Sequence, residues 1–575
     1  MARERSLRLV MCWHMHQPDY RNVLTGQFVL PWTYLHALKD YTDMAWHLER
    51  HPSVAAVVNF VPTLLEQLED YRQQFLTGEI RDPLLAALIN PELDDFLPET
   101  RRLLIQACFR CNHEKMVLPF PGYKRLLGVY ETVQGGLEPC LEYLSGQFLA
   151  DLLVWYHLAW TGESVRRNYP LVQKLMAQEG KYSIGQRKEL FSMMGEVISE
   201  LIPRYRTLKE EGRVEISTTP YHHPILPLLL DFEAAREALP DISLPESTEY
   251  PGGRDRALLQ VQEAIARHSA HFGQPARGLW PAEGGLSTDS LHVMIKAGCE
   301  WTASGEGVLV NTLRKQTTSF DESRLSYLYR PYRYESPEGA IHCFFRDDSL
   351  SDKIGFEYSR WDSEDAVRDF MNSLENIFHA SPDDEDPIVT IILDGENAWE
   401  YYPYNGYYFF EHLYKALQDH PFIVSSTFSE CMDLISDPNN ACHHGVRHLD
   451  RLVAGSWVYG NFTTWIGDPE KNRAWDLLVE AKECFDRELK EGRLTGERVV
   501  AAVRQLGICE GSDWFWWFGD YNPSDSVNAF DQLFRLNLSN LYRLLDCAAP
   551  AHLTKAISQG GGTAESGGTM RRSSG

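Results

Sequence analysis

Seven short apolar runs, each ending in a polar or aromatic cluster, recur along this chain between stretches of helical periodicity. The runs cover residues 7–13, 54–60, 214–217, 278–280, 301–304, 341–345 and 388–393. Helical patterns at 63–75, 257–270 and 363–378 lie between them. Strand-then-helix alternation argues for parallel strands joined by crossover helices. The run 388–393 is almost wholly β-branched or apolar, as expected of a strand buried on both faces. An α/β barrel is the predicted fold, with the polar clusters at the carboxyl ends of its strands, where barrel enzymes build their sites.

Two regions break the rhythm. Residues 84–206 read as mostly helical and rich in Leu, Tyr and Trp, which suggests an insertion between two barrel strands. Residues 473–545 are helical again. We therefore expect a barrel domain over 1–435 with a helical insertion at about 84–206, a mainly helical C-terminal domain over 436–555, and a Gly/Ser/Thr-rich, disordered tail over 556–575.

Composition narrows the function. Of 575 residues 43% are apolar and 24% charged, enough apolar side chain for a globular fold. The formal charge of −26 opposes binding to nucleic acid or to anionic membrane surfaces. No apolar stretch is long enough to span a bilayer, and the charged start does not read as an export signal. Eleven Cys, odd in number and scattered, point to reduced thiols and a cytoplasmic setting. The one CxxC pair, Cys108 and Cys111, lies in a helical pattern with no second pair beside it, so a structural role is expected. Aromatic residues make up 12%, which favours a neutral ligand whose C–H faces stack on rings.

Four clusters can carry chemistry. In His14-Met15-His16-Gln17-Pro18 the two His lie at i and i+2 of an extended segment and face the same way; they can hold a metal, bond sugar hydroxyls or serve as structural imidazoles. Thr218-Thr219-Pro220-Tyr221-His222-His223-Pro224 is a rigid turn that can set a His at a pocket wall or simply pack there. Trp280-Pro281-Ala282-Glu283-Gly284-Gly285 puts a carboxylate at a strand end beside permissive glycines. Leu393-Asp394-Gly395-Glu396-Asn397-Ala398-Trp399 delivers Asp394 at the end of the most apolar strand, where an unpaired charge is costly; Glu396 can be a second site group, although support for that loop is the favoured reading. Residues 455–468 and 513–520 are Gly- and Trp-rich, suited either to core packing or to sugar stacking.

In this order, across roughly residues 7–545, the four clusters together with 455–468 resemble glycoside hydrolase family 57, whose members act on α-glucans. The resemblance implies a (β/α)7-type barrel followed by helices, a retaining mechanism, Glu283 as nucleophile and Asp394 as general acid/base. Substrate contacts would come from His14, His16, Gln17 and His223. Aromatic and polar contacts would come from Trp280, Trp399, Trp457, Trp465, Asp468 and Trp516. The motifs at Glu283 and Asp394 look closer to the amylase and amylopullulanase-like branch than to the branching enzymes. No cofactor or metal is implied, and the expected partner is an α-glucan or maltooligosaccharide.

Retaining glycosidases need two carboxyl groups ~5–5.5 Å apart with different proton affinities, and an ionised Glu283 would hold the proton on Asp394. Water as acceptor gives hydrolysis; a sugar hydroxyl gives 4-α-glucanotransferase or branching activity. Two readings of another kind stay open: a metal-dependent sugar deacetylase using His14, His16 and an acidic group, and a non-catalytic glucan-binding protein.

Overall fold

Each of the seven runs forms a strand: β1 (Leu7–Met15), β2 (Ala56–Phe60), β3 (Val214–Thr218), β4 (Gly278–Leu279), β5 (Trp301–Gly305), β6 (Gly339–Arg346) and β7 (Ile388–Asp394). This computed structural model describes residues 5–133, 140–317, 319–438 and 440–562. The strands pair in parallel in the order β7-β1-β2-β3-β4-β5-β6. Across the seam between β6 and β7, the Asp347 amide donates to the Thr390 carbonyl at 2.8 Å and Arg346 Nε to the Ile392 carbonyl at 2.8 Å. The architecture is a seven-stranded (β/α) barrel.

Side chains two apart on a strand share a face, and this period stacks the barrel interior in layers. Val10, Cys12, Val57, Ala303, Phe344 and Ile392 join Trp280 and Trp301 in a buried apolar plug. Helix Phe428–Ser436 closes its lower end, with Phe428 4.2 Å from the Trp301 ring and 4.8 Å from Phe344. One step further along the strands the same columns deliver His14, Asn59, Arg346 and Asp394. Register makes them neighbours: His14 pairs with Asp394 on one side and Asn59 on the other, and Asn59 pairs with Ser217. Apolar below and polar above, the barrel presents its chemistry at one end.

Two of the strands that lay outside the sequence reading extend the main sheet. Ile423–Ser426 pairs with the first half of β1, and Tyr332–Ser336 runs antiparallel to β6. Both mix polar with apolar residues, because each is covered on one face only.

Between β2 and β3 the chain makes a series of helices, from Pro83–Ile89 to the long Ile184–Glu210. After β7 the main helices are Pro469–Lys490, Glu497–Cys509 and Ser524–Leu544. They are tied to the barrel helix Gly253–Phe272 through Glu510. This fully buried carboxylate accepts bonds from Arg256 Nε (2.6 Å), Tyr250 Oη (2.7 Å) and Gln260 Nε2 (2.7 Å). Those donors hold its pKa below the ordinary carboxylate range despite burial. The tail expected to be disordered from 556 instead packs as far as Gly562. Ile557 and Ser558 are buried, and their amides donate to Asp531. The anchor is a buried carboxylate that composition does not reveal. Residues 563–575 lie outside the described residues.

Candidate active site

A cavity of about 1040 Å³ opens at the carboxyl ends of the strands, and its walls include His14, His16, Gln17, Glu283, Asp394, Trp457 and Trp516. Both candidate catalytic carboxyl groups therefore face one space.

Glu283 stands just beyond the two-residue strand β4, which Pro281 brings to an end. Its backbone is left-handed, with φ 58° and ψ 24°, and Gly284 follows at φ 61°. An L-residue pays roughly 1–2 kcal/mol for that conformation. Trp457 holds the strained residue twice: its amide donates to the Glu283 carbonyl at 3.0 Å and its indole Nε1 to Glu283 Oε2 at 2.9 Å. A side chain at Gly284 would meet Trp280 at 2.9 Å, so a larger residue does not fit the turn.

Asp394 takes a 2.9 Å bond from Asn397 Nδ2. Burial pushes its carboxyl up to about 6, against the opposing pull of Asn397, His16 and Arg346. Burial is thus the leading cause, where a neighbouring ionised carboxylate was expected. Glu396 also lines the cavity and lies close to Asp394; its Oε1 accepts from Gln17 Nε2 (3.1 Å) and the His16 amide (3.3 Å). Burial, with Asp394 and Asp40 nearby, holds its pKa well above the usual range. Arg346, at the end of β6, bonds Asp348 and Asp352 and sets its guanidinium 5.4 Å from the Trp457 ring.

The histidines form a stack with fixed proton positions. The Asn59 amide nitrogen donates to Ser217 Oγ, and its oxygen faces Thr219 Oγ1 (2.8 Å) and His14 Nδ1 (2.7 Å). An amide oxygen only accepts, so the His14 proton sits on Nδ1. His14 Nε2 then accepts from His223 Nε2 at 3.1 Å, and His223 Nδ1 accepts from Ser512 Oγ at 2.8 Å. Both rings are neutral in this chain. Burial is the main cause: it lowers His14 to about 3 and His223 well below its ordinary value. His16 stacks on His223 at 3.7 Å and faces Asp513 Oδ1 at 2.8 Å.

His16, His223 and Asp513 bring donor atoms within 4.8 Å of one another. Lone pairs of ring nitrogens lie in the ring planes, and these planes are only 16° apart. Near-parallel stacked rings cannot both aim at one ion at the ~2.0–2.1 Å of a zinc–imidazole bond, so this group does not fit a metal. A second group, Cys484, Glu488 and Cys547, lies in the C-terminal helices, where both oxygens of Glu488 are taken by Arg493.

Several expected substrate contacts lie elsewhere. Trp280 is buried beneath Trp457, 5.2 Å away edge-on. Trp399 is buried against Trp13 and Phe410 and bonds the Gly395 carbonyl, holding the loop after Asp394. Trp465 is buried behind Trp516, and Asp468 caps helix Pro469–Lys490. His223 lies under His16 rather than on the cavity wall. In each case the side chain supports backbone or ring near the site, a use that motif position does not distinguish from contact. Cys111 reaches the cavity wall, but His113 Nε2 is occupied by the Phe109 carbonyl at 2.8 Å. Burial keeps the Cys111 thiol protonated, pushed up to about 12.

Ser512, Asp513, Asn59 and Arg346 were not singled out from sequence. Arg346 carried a usable signal, a charge at the end of a strand. Asp513 and Ser512 carried none beyond their neighbourhood of Trp residues.

The profile of Glycosyl hydrolase family 57 matches residues 10–441. Among solved structures, a family-57 branching enzyme from Thermococcus kodakaraensis is similar in fold at 14% identity, with 93% of this chain and 90% of that one covered and a TM-score of 0.57. An α-amylase from Thermotoga maritima aligns at 13% identity over 94% and 93% of the two chains, TM-score 0.55. A branching enzyme of the same family from Pyrococcus horikoshii aligns at 16% identity over 97% and 98%, TM-score 0.55. No curated protein matches the chain by sequence.

Proposed function

The chain belongs to glycosyl hydrolase family 57, and from that premise we propose that it cleaves α-glucans with retention at the anomeric carbon, Glu283 acting as nucleophile and Asp394 as general acid/base. The observation that supports this most is that the two carboxyl groups face one cavity in contrasting surroundings. The Glu283 carboxylate is steadied by an indole N–H, whereas burial keeps a proton on Asp394 up to about pH 6.

In the first step a Glu283 oxygen bonds to the anomeric carbon as the glycosidic C–O bond breaks, and the Asp394 proton goes to the leaving oxygen. Asp394, now a carboxylate, takes a proton from the incoming acceptor, whose oxygen displaces Glu283 and restores both groups. His16 and Gln17 line the floor beside His14, whose two ring nitrogens are taken by Asn59 and His223, and they offer hydrogen bonds to sugar hydroxyls; Trp457 and Trp516 offer ring faces.

Water as acceptor makes the enzyme amylase-like. A second glucan as acceptor would make it a 4-α-glucanotransferase or branching enzyme, and branching enzymes share this fold. The reaction belongs in a reducing, cytoplasmic compartment, a reading supported by eleven Cys that form no disulfide among the described residues. Among the described residues no helix is long and apolar enough to cross a membrane.

The test is incubation with maltoheptaose, with anomers followed by NMR and product lengths resolved over time. Products of retained configuration are expected, and Glu283→Gln should abolish their formation. Inverted products, or near-normal turnover by the folded Gln variant, would remove the assignment.

A further inference from the structure

Directly after the loop that carries Asp394, five Tyr fall within eight residues, at 401, 402, 404, 407 and 408. Tyr402 turns inward and bonds the Ile354 carbonyl at 2.6 Å. Three of the others stand in solvent: Tyr401 is 39% exposed, Tyr404 57% and Tyr408 39%. Tyr401 also lines the cavity, so the exposed rings begin at its mouth.

The backbone here is built against its preference. Tyr404, Asn405 and Gly406 are all left-handed, at φ 53°, 55° and 74°, a costly conformation for Tyr. Asn405 locks the turn from below. Its side-chain oxygen accepts from the buried Lys39 Nζ at 2.9 Å, and its amide donates to Asp43 at 3.2 Å. A side chain at Gly406 would meet Trp399 at 2.9 Å. The result of this bracing is a Tyr404 ring held out from the surface and packed edge-on against Tyr408 at 5.4 Å. Arg167 fixes Tyr408 in turn, donating to its hydroxyl at 3.0 Å. A turn whose only need was to reverse the chain would be relieved by Gly at 404.

We propose that Tyr401, Tyr404 and Tyr408 form an aromatic track along which a long α-glucan lies as it leaves the cavity. The inference rests on the α-glucan reading above. Tyrosine suits the task because its ring face packs on sugar C–H groups while its hydroxyl bonds the sugar rim. Tyr404 follows Tyr401 by three residues, so their Cα atoms are at most ~11 Å apart, a span that a short run of glucosyl units covers. The track makes the enzyme prefer polymer to short oligosaccharide.

The experiment compares kcat/KM on amylose and on maltotetraose for the full chain, Tyr404→Asn and Tyr404→Phe. Asn tolerates the left-handed backbone and deletes the ring; Phe keeps the ring. Tyr404→Asn is expected to lose about three- to tenfold on amylose, to be unchanged on maltotetraose, and to be rescued by Phe. A Tyr404→Asn variant with unaltered amylose activity, or one that falls equally on both substrates, would overturn the track. If the unmodified protein turns over neither glucan, the α-glucan reading fails and the track falls with it, a result distinguishable from the other two.

Discussion

Replacing Asp394 with Asn is expected to make the protein more stable at neutral pH while it removes the general acid. The carboxyl rises from 3.8 to about 6 on folding, chiefly through burial. A raised value means that the folded protein binds this proton more tightly than the unfolded chain does. The stability this confers is complete below about pH 3.8 and is lost as pH climbs to about 6. Above that, folding carries an ionised group at a cost of about 3 kcal/mol. Asn is isosteric and uncharged, and its amide oxygen can still accept from Asn397. The variant should therefore gain up to about 3 kcal/mol near pH 7.5, shrinking to under about 1 kcal/mol near pH 4. Urea unfolding followed by Trp fluorescence at the two pH values measures this directly. An Asn variant that unfolds at equal or lower urea near pH 7.5, or that gains equally at both, refutes the argument that burial dominates this site.

Two further outcomes follow from the same geometry. The kcat/KM of the unmodified enzyme should decline above about pH 6 as Asp394 loses the proton it must donate; a pH profile on maltoheptaose that is flat to pH 8 contradicts this. Arg256→Met strips Glu510 of its cation while leaving it buried, and should cost about 3–5 kcal/mol by urea denaturation. Glu510→Gln in the same background should recover part of that loss, and a single variant as stable as the parent would contradict the tie.

All seven barrel strands were legible in the sequence because each is a short, mostly apolar run that stops at a polar or aromatic cluster, a local pattern. His14, Glu283 and Asp394 were legible for the same reason, standing where apolar runs stop. The function of the tryptophans was not. An indole beside a catalytic loop satisfies either a sugar or the loop itself, and Trp280 and Trp399 do the second. Nor could sequence pair Asp513 with His16, or Ser512 with His223, since a contact between remote residues leaves no mark in spacing. The tail misled because its Gly and Ser content describes the free chain, while Asp531 supplies the partner that orders its first residues.

Glu510, Ser512, Asp513 and Trp516 fall within a single turn of chain late in the sequence, where they join the C-terminal helices to the barrel and complete the histidine stack. A polypeptide still emerging from the ribosome has the whole ring of strands and both carboxyl groups long before that turn is synthesised. Until it arrives, His16 lacks its acidic neighbour and His223 the hydroxyl that orients its ring. The nascent barrel therefore carries both carboxyl groups before its histidine stack has all its partners, and so does any fragment clipped ahead of residue 510.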